Sequence, residues 1–270
     1  MILLNGAEIP LKHFTDNTLD LQIAVPRDFS GGRSAVITWV FDNDVETVAL
    51  VFLTRHLREH GITDVDLVMP YVPNARMDRV KTDADVFTLK YFAELINSLH
   101  FRSVRVFDPH SSVSEALIDR IVITNAKEYV LEAVRRIGDE GLMLFFPDEG
   151  AMKRYSEMTD LPFAYGMKKR DWETREIRGL TVCGPIESIP GKSILMVDDI
   201  CSSGRTLQYA AQKLKELGAG RIYLYVSHCE NIVTESELLH SDMVEKVYTT
   251  RSFLKLDHPK FEILDIMTDF

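Results

Sequence analysis

Short apolar runs alternate along this chain with segments in which apolar residues recur at helical spacing, as Phe92, Leu95, Ile96 and Leu99 do. The apolar runs predict strands at Ala35–Phe41, Val65–Pro70, Ser103–Phe107, Leu142–Phe146, Ser193–Val197, Arg221–Ser227 and Phe261–Ile266. Alternation of strands and helices predicts an α/β fold with mainly parallel sheets covered by helices. A boundary near Ile123–Lys127 would divide the chain into two domains of similar make-up, residues 1–124 and 125–270.

Polar residues gather where the predicted strands end. The clusters are Pro70-Tyr71, Asp108-Pro109-His110, Asp148-Glu149-Gly150, Asp198-Asp199, and His228 with Glu230. Ligands of open α/β sheets bind outside the carboxyl ends of the strands, so a shared ligand site explains these clusters together. The alternative is that loops are polar in any case, which accounts for one cluster more easily than for all of them.

The run from Ile194 to Leu207 carries the most specific chemistry. A short apolar strand leads to Asp198 and Asp199, then to a loop of small residues and to a helix that is predicted to start near Thr206. Backbone N–H groups of such a loop and helix start bind phosphate, and the two carboxylates can accept hydrogen bonds from sugar hydroxyls. The run therefore predicts a site for a phosphorylated sugar. The simpler reading is a buried strand that ends in a surface turn. It does not explain two adjacent carboxylates after an apolar strand, which cost free energy unless they leave the core or have partners.

Composition narrows the class of protein. The net charge of −10 disfavours a nucleic-acid surface, which needs a basic field. No apolar stretch approaches the length of a membrane span, and residues 1–6 predict a first strand and turn rather than a basic leader. Cys183, Cys201 and Cys229 stand in unrelated contexts, which favours neither a disulfide framework nor a zinc site. We therefore expect a cytoplasmic protein with small-molecule ligands.

The run at 197–207 resembles the phosphoribosyl-pyrophosphate loop of the type I phosphoribosyltransferase fold. Further blocks resemble the ribose-phosphate diphosphokinase (PRPP synthetase) family and occur in that family's order. They are Phe14-Thr15-Asp16-Asn17-Thr18 against "FSDGE", Pro70–Arg79 against "PY…AR-Q-DR", Asp108-Pro109-His110 against "DLH", Pro147–Gly150 with Arg154 against "PD-x-G…R", and Lys168-Lys169-Arg170 against "KRR". The resemblance implies two tandem type I phosphoribosyltransferase-like domains, each a mainly parallel sheet flanked by helices.

The same resemblance implies the reaction. A transferase of this family moves the β,γ-pyrophosphoryl group of ATP to the 1-hydroxyl of ribose 5-phosphate or a related 5-phosphoribosyl compound, which gives PRPP, or an analogue of it, and AMP. It implies Mg²⁺ as cofactor, because hard oxygen ligands and phosphates suit that ion. It also implies a homo-oligomer whose ATP site lies near a subunit interface. Neither nucleic acid nor a membrane is expected among the partners.

Roles follow from the resemblance for individual residues. The catalytic residues, on a mobile charged flap, would be Lys168 and Arg170, with Lys169 replacing Lys168 if the register differs by one. ATP would be bound by Phe14, Asp16, Arg76, Met77, Arg79 and His110. The ribose hydroxyls and 5-phosphate would be bound by Asp198, Asp199, Ser202, Ser203, Gly204, Arg205 and Thr206. The metal would be held by His110 and Asp148.

Simpler local readings stay open for several of these positions. His110 can be a structural histidine at a strand end, Asp148 a helix cap, and Arg76 or Arg79 an ion-pair partner of Asp78 or Asp83. Phe14 to Asp16 can be an ordinary hairpin turn, and the charged flap a solvated face. Cys201 is expected to be a small apolar filler, and His228 to lie behind the site.

Four positions depart from the family pattern. Thr18 replaces a Glu and Met77 a Gln, so recognition of the base is open; Ser202 replaces an Asp, and Arg205 a small residue. The last two changes make the loop more positive by about two charges, which would suit an acceptor with extra phosphate such as ADP-ribose. Two further alternatives are a nucleotide-binding regulatory paralogue without activity and a phosphoribosyltransferase that uses PRPP and a base.

Overall fold

The computed structural model describes residues 1–23, 34–170 and 177–266. The chain divides into two compact units, Met1–Thr124 and Asn125–Asp269. Residues 171–175, which continue the predicted charged flap, lie outside the described residues. Each unit is an α/β sheet structure, as the sequence predicts.

The first unit holds eight of the described strands and three of the described helices. The strands are β1 Ile2–Leu4, β2 Ala7–Glu8, β3 Lys12–His13, β4 Leu19–Asp20, β5 Ser34–Trp39, β6 Asp64–Met69, β7 Ser103–Phe107 and β8 Ile121–Thr124. The helices are α1 Val45–Glu59, α2 Thr88–Ser98 and α3 Val113–Leu117.

The sheet of the first unit has the order β2-β1-β5-β6-β7-β8, and β3 and β4 form a separate hairpin. Strands β5 to β8 are parallel, whereas β1 pairs antiparallel with β5 and β2. Helix α1 buries Ala49, Leu50, Leu53 and Leu57, which belong to the same apolar cluster as Leu67 of β6. This helical stripe of residues three and four apart covers one face of the sheet.

The second unit holds the remaining described elements. The strands are β9 Met143–Phe146, β10 Phe163–Arg170, β11 Ile177–Cys183, β12 Ile194–Cys201, β13 Ile222–Cys229, β14 Lys246–Thr250 and β15 Phe261–Leu264. The helices are α4 Lys127–Ile137, α5 Glu149–Tyr155, α6 Arg205–Glu216 and α7 Glu237–His240.

The sheet of the second unit has the order β11-β10-β9-β12-β13-β14-β15. All neighbouring pairs in it are parallel except β10 and β11, which form an antiparallel hairpin. Strand β12 is therefore central, with β9 on one side and β13 on the other. The carboxyl ends of these three strands meet at one edge, which brings the residues after β9 and β13 beside the loop after β12.

The predicted fold class is confirmed, but some strands have other bounds than predicted. Strand β7 has the predicted bounds, whereas β12 continues to Cys201 and so includes Asp198 and Asp199. The extension follows from pairing with β13, since Asp198 stands opposite Val226 and Ile200 opposite His228. Strands β8, β10, β11 and β14 were not predicted. Within the described residues, no helix combines the length and apolar character that a membrane crossing requires.

Candidate functional site

The loop after β12 has the geometry of a phosphate-binding loop. Ser202 and Ser203 lead to Gly204, which caps α6 in the left-handed region at φ 73°. The helix begins at Arg205, one residue before the predicted start. Its first intrahelical bond runs from Gln208 N–H to Gly204 O, at 2.8 Å, so the N–H groups before Gln208 point out of the helix end. These donors and the positive end of the helix dipole favour an anionic group.

The carboxylates of Asp198 and Asp199 lie on β12 immediately before this loop. Asp199 is buried and Asp198 is partly exposed. Desolvation raises the pKa of Asp198 well above its usual range, and the negative charges of Asp199 and Asp148 raise it further. Two neighbouring carboxylates repel each other when both are ionised. Hydroxyl donors or a cation would reduce this repulsion, so the pair is suited to bind either.

A guanidinium group stabilises one member of this pair. Arg154 Nη1 of α5 donates a hydrogen bond to Asp199 Oδ2 at 3.1 Å. Arg154 belongs to the "PD-x-G…R" block, but the sequence assigned it no role. The contact joins residues after β9 to the end of β12, and only the order of the strands in the sheet reveals it.

Asp148 acts as the N-terminal cap of α5. Its Oδ1 accepts a hydrogen bond from Ala151 N–H at 2.9 Å. The simpler reading of this residue is therefore correct for its local structure. Its charge nevertheless acts on Asp198, which places it in the carboxylate cluster at the same edge of the sheet.

A carboxylate that the sequence did not connect with the loop also lies here. Ser202 Oγ donates to Glu230 Oε2 at 2.6 Å, and Glu230 N–H donates to Cys201 O at 2.8 Å. Glu230 follows β13, next to the loop in the sheet. The sequence comparison considered only Ser202 and Arg205 when it predicted a loop more positive by about two charges. The carboxylate of Glu230 beside Ser202 offsets one of these two charges.

Cys201 and His228 lie in the interior, as expected. Cys201 is buried opposite Cys229 on the neighbouring strand, and its contact with that thiol, together with burial, raises the pKa of Cys201 well above its usual range. A thiol of this kind is unreactive. His228 is buried, and its Nδ1 lies 2.6 Å from Ser252 Oγ behind the edge.

The backbone of Lys168, Lys169 and Arg170 belongs to strand β10 rather than to a loop. Lys168 pairs with Leu180 and Lys169 with Gly179 of β11, and the register is irregular between Lys169 and Arg170. Antiparallel pairing satisfies the backbone groups of these charged residues, so the hairpin continues into the segment that the sequence assigned to a flap.

In the first unit, a polar cluster lies at the carboxyl ends of β6 and β7. Asp78 Oδ2 accepts a hydrogen bond from Ser111 Oγ at 2.8 Å, and Asp78 Oδ1 accepts one from Arg79 Nε, also at 2.8 Å. The guanidinium of Arg79 is the main cause that lowers the pKa of Asp78, and the charge of His110 contributes. The sequence-predicted residues Arg79 and His110 are thus brought together, and the simpler reading of Arg79 as an ion-pair partner of Asp78 also holds.

Arg76 and Met77 are exposed neighbours of this cluster. They lie in the irregular segment between β6 and α2, which also carries Asp78 and Arg79. Since the side chains of Arg76, Met77 and Arg79 all reach the surface, they are accessible to a ligand at this edge.

Phe14 and Asp16 lie in the turn of the hairpin formed by β3 and β4. Phe14 N–H donates to Thr18 O at 2.9 Å, and the side chain of Phe14 is 56 % exposed. The carboxylate of Asp16 accepts from Thr18 Oγ1 at 2.7 Å, and that bond lowers the pKa of Asp16. The turn reading is correct for the local structure. The exposed ring of Phe14 remains available for stacking on a base.

No group of three or more His, Cys, Asp or Glu side chains within 1–23, 34–170 and 177–266 is arranged to hold a metal ion. Mg²⁺ characteristically takes one or two carboxylates and completes its ligands with water and substrate phosphates. Asp148 provides one such oxygen donor at the sheet edge that carries the phosphate loop, so the residues present fit an Mg²⁺ held by one carboxylate, water and substrate phosphate.

Comparison with known proteins shows what this chain resembles. A family profile described as "Phosphoribosyl transferase domain" matches residues 157–262. The chain is 28 % identical over 225 residues to a ribose-phosphate pyrophosphokinase of Thermococcus kodakarensis, across 82 % of this chain and 77 % of that protein. It is 31 % identical over 185 residues to one of a Marinomonas species, across 66 % of this chain and 58 % of that protein. The chain is thus similar to ribose-phosphate pyrophosphokinases over most of its length.

A solved structure shows the same fold. The crystal structure of phosphoribosylpyrophosphate synthetase from Mycobacterium smegmatis superposes with a TM-score of 0.79, at 16 % identity, over 96 % of this chain and 86 % of that one. The two tandem domains that the resemblance implied are thus confirmed as a fold. The loop at 202–206, the carboxylates before it and the cluster around Asp78 are the candidate site residues.

Proposed function

We propose that this protein transfers the β,γ-pyrophosphoryl group of ATP to the 1-hydroxyl of ribose 5-phosphate, producing PRPP and AMP. The observation that carries the proposal is the junction of β12 and α6, where a carboxylate pair, a small-residue loop and a helix N-terminus follow one another without interruption. The names of the related proteins support the same reaction.

The second unit, within residues 125–270, would bind the sugar phosphate. The N–H groups at the start of α6, with Ser203 and Thr206, bind the 5-phosphate, whereas Arg205 adds positive charge. Asp198 and Asp199 accept hydrogen bonds from the ribose hydroxyls. Arg154 holds the carboxylate of Asp199, which orients the sugar without further rearrangement.

The first unit, within residues 1–124, would bind ATP. Arg76 and Arg79 contact the phosphates, Met77 and Phe14 pack on the base, and Asp16 helps to read it. Arginine suits this role because its planar guanidinium binds phosphate oxygens in a bidentate manner and stacks on aromatic rings. The phenyl ring of Phe14 would act at the ATP site of a neighbouring subunit, in a homo-oligomer.

In the transfer step, the 1-hydroxyl oxygen forms a bond to the β-phosphorus as the bond from that phosphorus to the bridging α,β-oxygen breaks. AMP leaves with the bridging oxygen, and the hydroxyl proton passes to solvent. Lys168 and Arg170 neutralise the charge that develops on the transferred group, with Lys169 as the neighbour that can replace Lys168.

Asp148 in the second unit and His110 in the first unit would each serve as a ligand of Mg²⁺, and Mg²⁺ neutralises the polyphosphate when bound. The carboxylate of Asp148 is oriented for this by its bond to Ala151 N–H. Cytoplasmic metabolism, where ATP and sugar phosphates occur, is the proposed setting.

Release of AMP from ATP with a panel of acceptors tests the proposal. We expect AMP with ribose 5-phosphate and none with ribose or without acceptor. Lys168→Ala should lower kcat by about 100-fold, the usual scale for a residue that stabilises the transition state. Lys213→Ala, which breaks a surface pair with Glu216, should leave kcat within about twofold.

Three results would contradict the proposal. AMP release with ADP-ribose but not with ribose 5-phosphate would identify the other acceptor. Consumption of PRPP with a base, without ATP, would identify a phosphoribosyltransferase. ATP binding without turnover of any acceptor would identify a regulatory paralogue.

A further inference from the structure

The segment from Glu230 to Leu238, here called the supporting segment, packs against the candidate phosphate loop at three points. Glu230 contacts Cys201 and Ser202. Leu238 and Ser236 lie so close to Gly204 that an added Cβ would meet Leu238 Cδ2 at 3.1 Å and Ser236 Oγ at 3.2 Å. The supporting segment therefore determines where the loop can lie.

Among these contacts, the carboxylate of Glu230 has a chemical consequence. A serine hydroxyl has a single proton to donate, and Ser202 donates it to Glu230 at 2.6 Å. Ser202 therefore cannot give that proton to a phosphate while the bond is made. The 5-phosphate must rely on Ser203, Thr206 and the backbone N–H groups of the loop and helix.

The backbone of Glu230 fixes the same stretch of chain. Its N–H donates to Cys201 O, one residue before Ser202, so one residue holds both the main chain and the side chain at the loop entrance. A hydrogen bond to a charged acceptor is stronger than one between neutral groups. Glu230 is half-buried, which reduces competition from water.

We propose that Glu230, which directly follows the neighbouring strand β13, is a positioning residue for the phosphate loop and supplies a carboxylate beside Ser202. The proposal rests on the proposed function for its choice of substrate. Glu230 orients Ser202 away from the phosphate and holds the loop open for the 5-phosphate of the acceptor. Its charge disfavours a further anionic group on that side of the loop, which favours ribose 5-phosphate over ADP-ribose.

A double-mutant cycle with steady-state kinetics tests the proposal, using Glu230→Ala, Ser202→Ala and their combination. We expect Glu230→Ala to raise KM for ribose 5-phosphate about tenfold with little change in kcat or in KM for ATP. The combined variant should be no worse than Glu230→Ala alone, because the two residues act through one contact. Glu235→Ala removes an exposed carboxylate of the supporting segment and should match the wild type.

A carboxylate swap separates positioning from a general structural role. Ser202→Asp alone places two carboxylates together and should raise KM for ribose 5-phosphate by more than about tenfold. Ser202→Asp combined with Glu230→Gln exchanges the two roles, with the carboxylate at residue 202 and the hydrogen-bond donor at residue 230. This variant should return KM for ribose 5-phosphate to within about threefold of the wild type. A purely structural role predicts no such rescue.

An unchanged KM in Glu230→Ala, additive effects in the cycle, or failure of the swap to rescue would each overturn the proposal. A wild-type protein that binds ribose 5-phosphate in calorimetry but releases no AMP would contradict the proposed reaction alone. In that event, the dissociation constants of the same variants for ribose 5-phosphate test the role of Glu230. Their ratios to the wild-type value should equal the ratios expected for KM.

Discussion

Arg154 Nη1 lies 3.1 Å from Asp199 Oδ2 and so joins the helix after β9 to the carboxylate at the end of β12. Both side chains are shielded, with 27 % of Arg154 and 11 % of Asp199 exposed. Removing one member of a shielded ion pair is costly, because the other charge keeps its desolvation penalty and loses that attraction. The candidate sugar site therefore depends on a residue that lies outside the phosphate-loop motif.

Arg154→Ala should lower kcat/KM for ribose 5-phosphate by about 10- to 100-fold, because Asp199 loses the cation that orients it. The effect should appear in KM for ribose 5-phosphate, with KM for ATP unchanged. Arg135→Ala is the matched control, since it removes an exposed pair with Glu132 on α4. Equal effects of the two substitutions would contradict a specific role for Arg154.

Asp198→Asn and Asp199→Asn should change stability in opposite directions. The folded-state pKa of Asp198 is raised above its unfolded value, so its contribution to stability is present at low pH and is lost as pH rises through the folded pKa. Asp198→Asn should therefore raise Tm at pH 8 by about 2–4 °C, the shift that ~1 kcal/mol produces in a domain of this size. The gain should vanish near pH 4.

Asp199→Asn should instead lower Tm at pH 8, because Arg154 loses its charged partner. Both variants should lose most of the AMP release with ribose 5-phosphate. Thermal unfolding of the two variants and the wild type across pH 4–8 is the measurement. Destabilisation by Asp198→Asn at pH 8 would show that Asp198 is not held in an unfavourable charged state.

Gly204→Ala should disturb the phosphate loop more than its backbone angle alone would. Gly204 has φ +73°, and an added methyl group would press against Leu238 and Ser236. Gly191 has φ +76° with nothing within 4 Å, so Gly191→Ala carries the same backbone strain without the contact. We expect each to cost about 1 kcal/mol for the angle, with a further loss of about 1–3 kcal/mol only in Gly204→Ala.

Denaturant unfolding measures this difference, and kinetics should follow it. KM for ribose 5-phosphate should rise in Gly204→Ala and stay unchanged in Gly191→Ala. If both variants lose equal stability and keep their KM, the close approach of the supporting segment has no part in binding.

Asp78→Asn should weaken ATP binding without affecting the sugar. Asp78 holds Arg79 and Ser111 together at 2.8 Å each, so loss of its charge loosens the cluster. Arg79 is 68 % exposed, which makes the effect on stability small. We expect KM for ATP to rise about three- to tenfold. Asp83→Asn removes an exposed carboxylate of the same segment and should leave both KM values unchanged.

Strand β7 was predicted with its observed bounds because an apolar run is delimited there by polar residues on both sides. The loop at 202–206 was predicted for a similar reason, since strand, carboxylates and helix start are contiguous in the sequence. Strand β12 was predicted too short because Asp198 and Asp199 interrupt its apolar pattern. Pairing with β13 keeps them in the sheet, which is a non-local effect.

Contacts between separate elements could not be predicted. Arg154 and Asp199 are 45 residues apart, and Ser202 and Glu230 are 28 apart. Both contacts depend on β9, β12 and β13 being neighbours, which no local pattern specifies. The resemblance of Lys168-Lys169-Arg170 to the catalytic loop predicted a flap, whereas the backbone of these residues pairs in the β10–β11 hairpin.

The destination of the β-phosphorus of ATP is the most direct test of the proposed pyrophosphoryl transfer. With [β-³²P]ATP and ribose 5-phosphate, the label should move to the sugar in a one-to-one ratio with the AMP that forms. Label in ADP would indicate transfer of a single phosphoryl group. Label in free pyrophosphate, with unlabelled sugar, would indicate hydrolysis, and either result would contradict a pyrophosphoryl transferase.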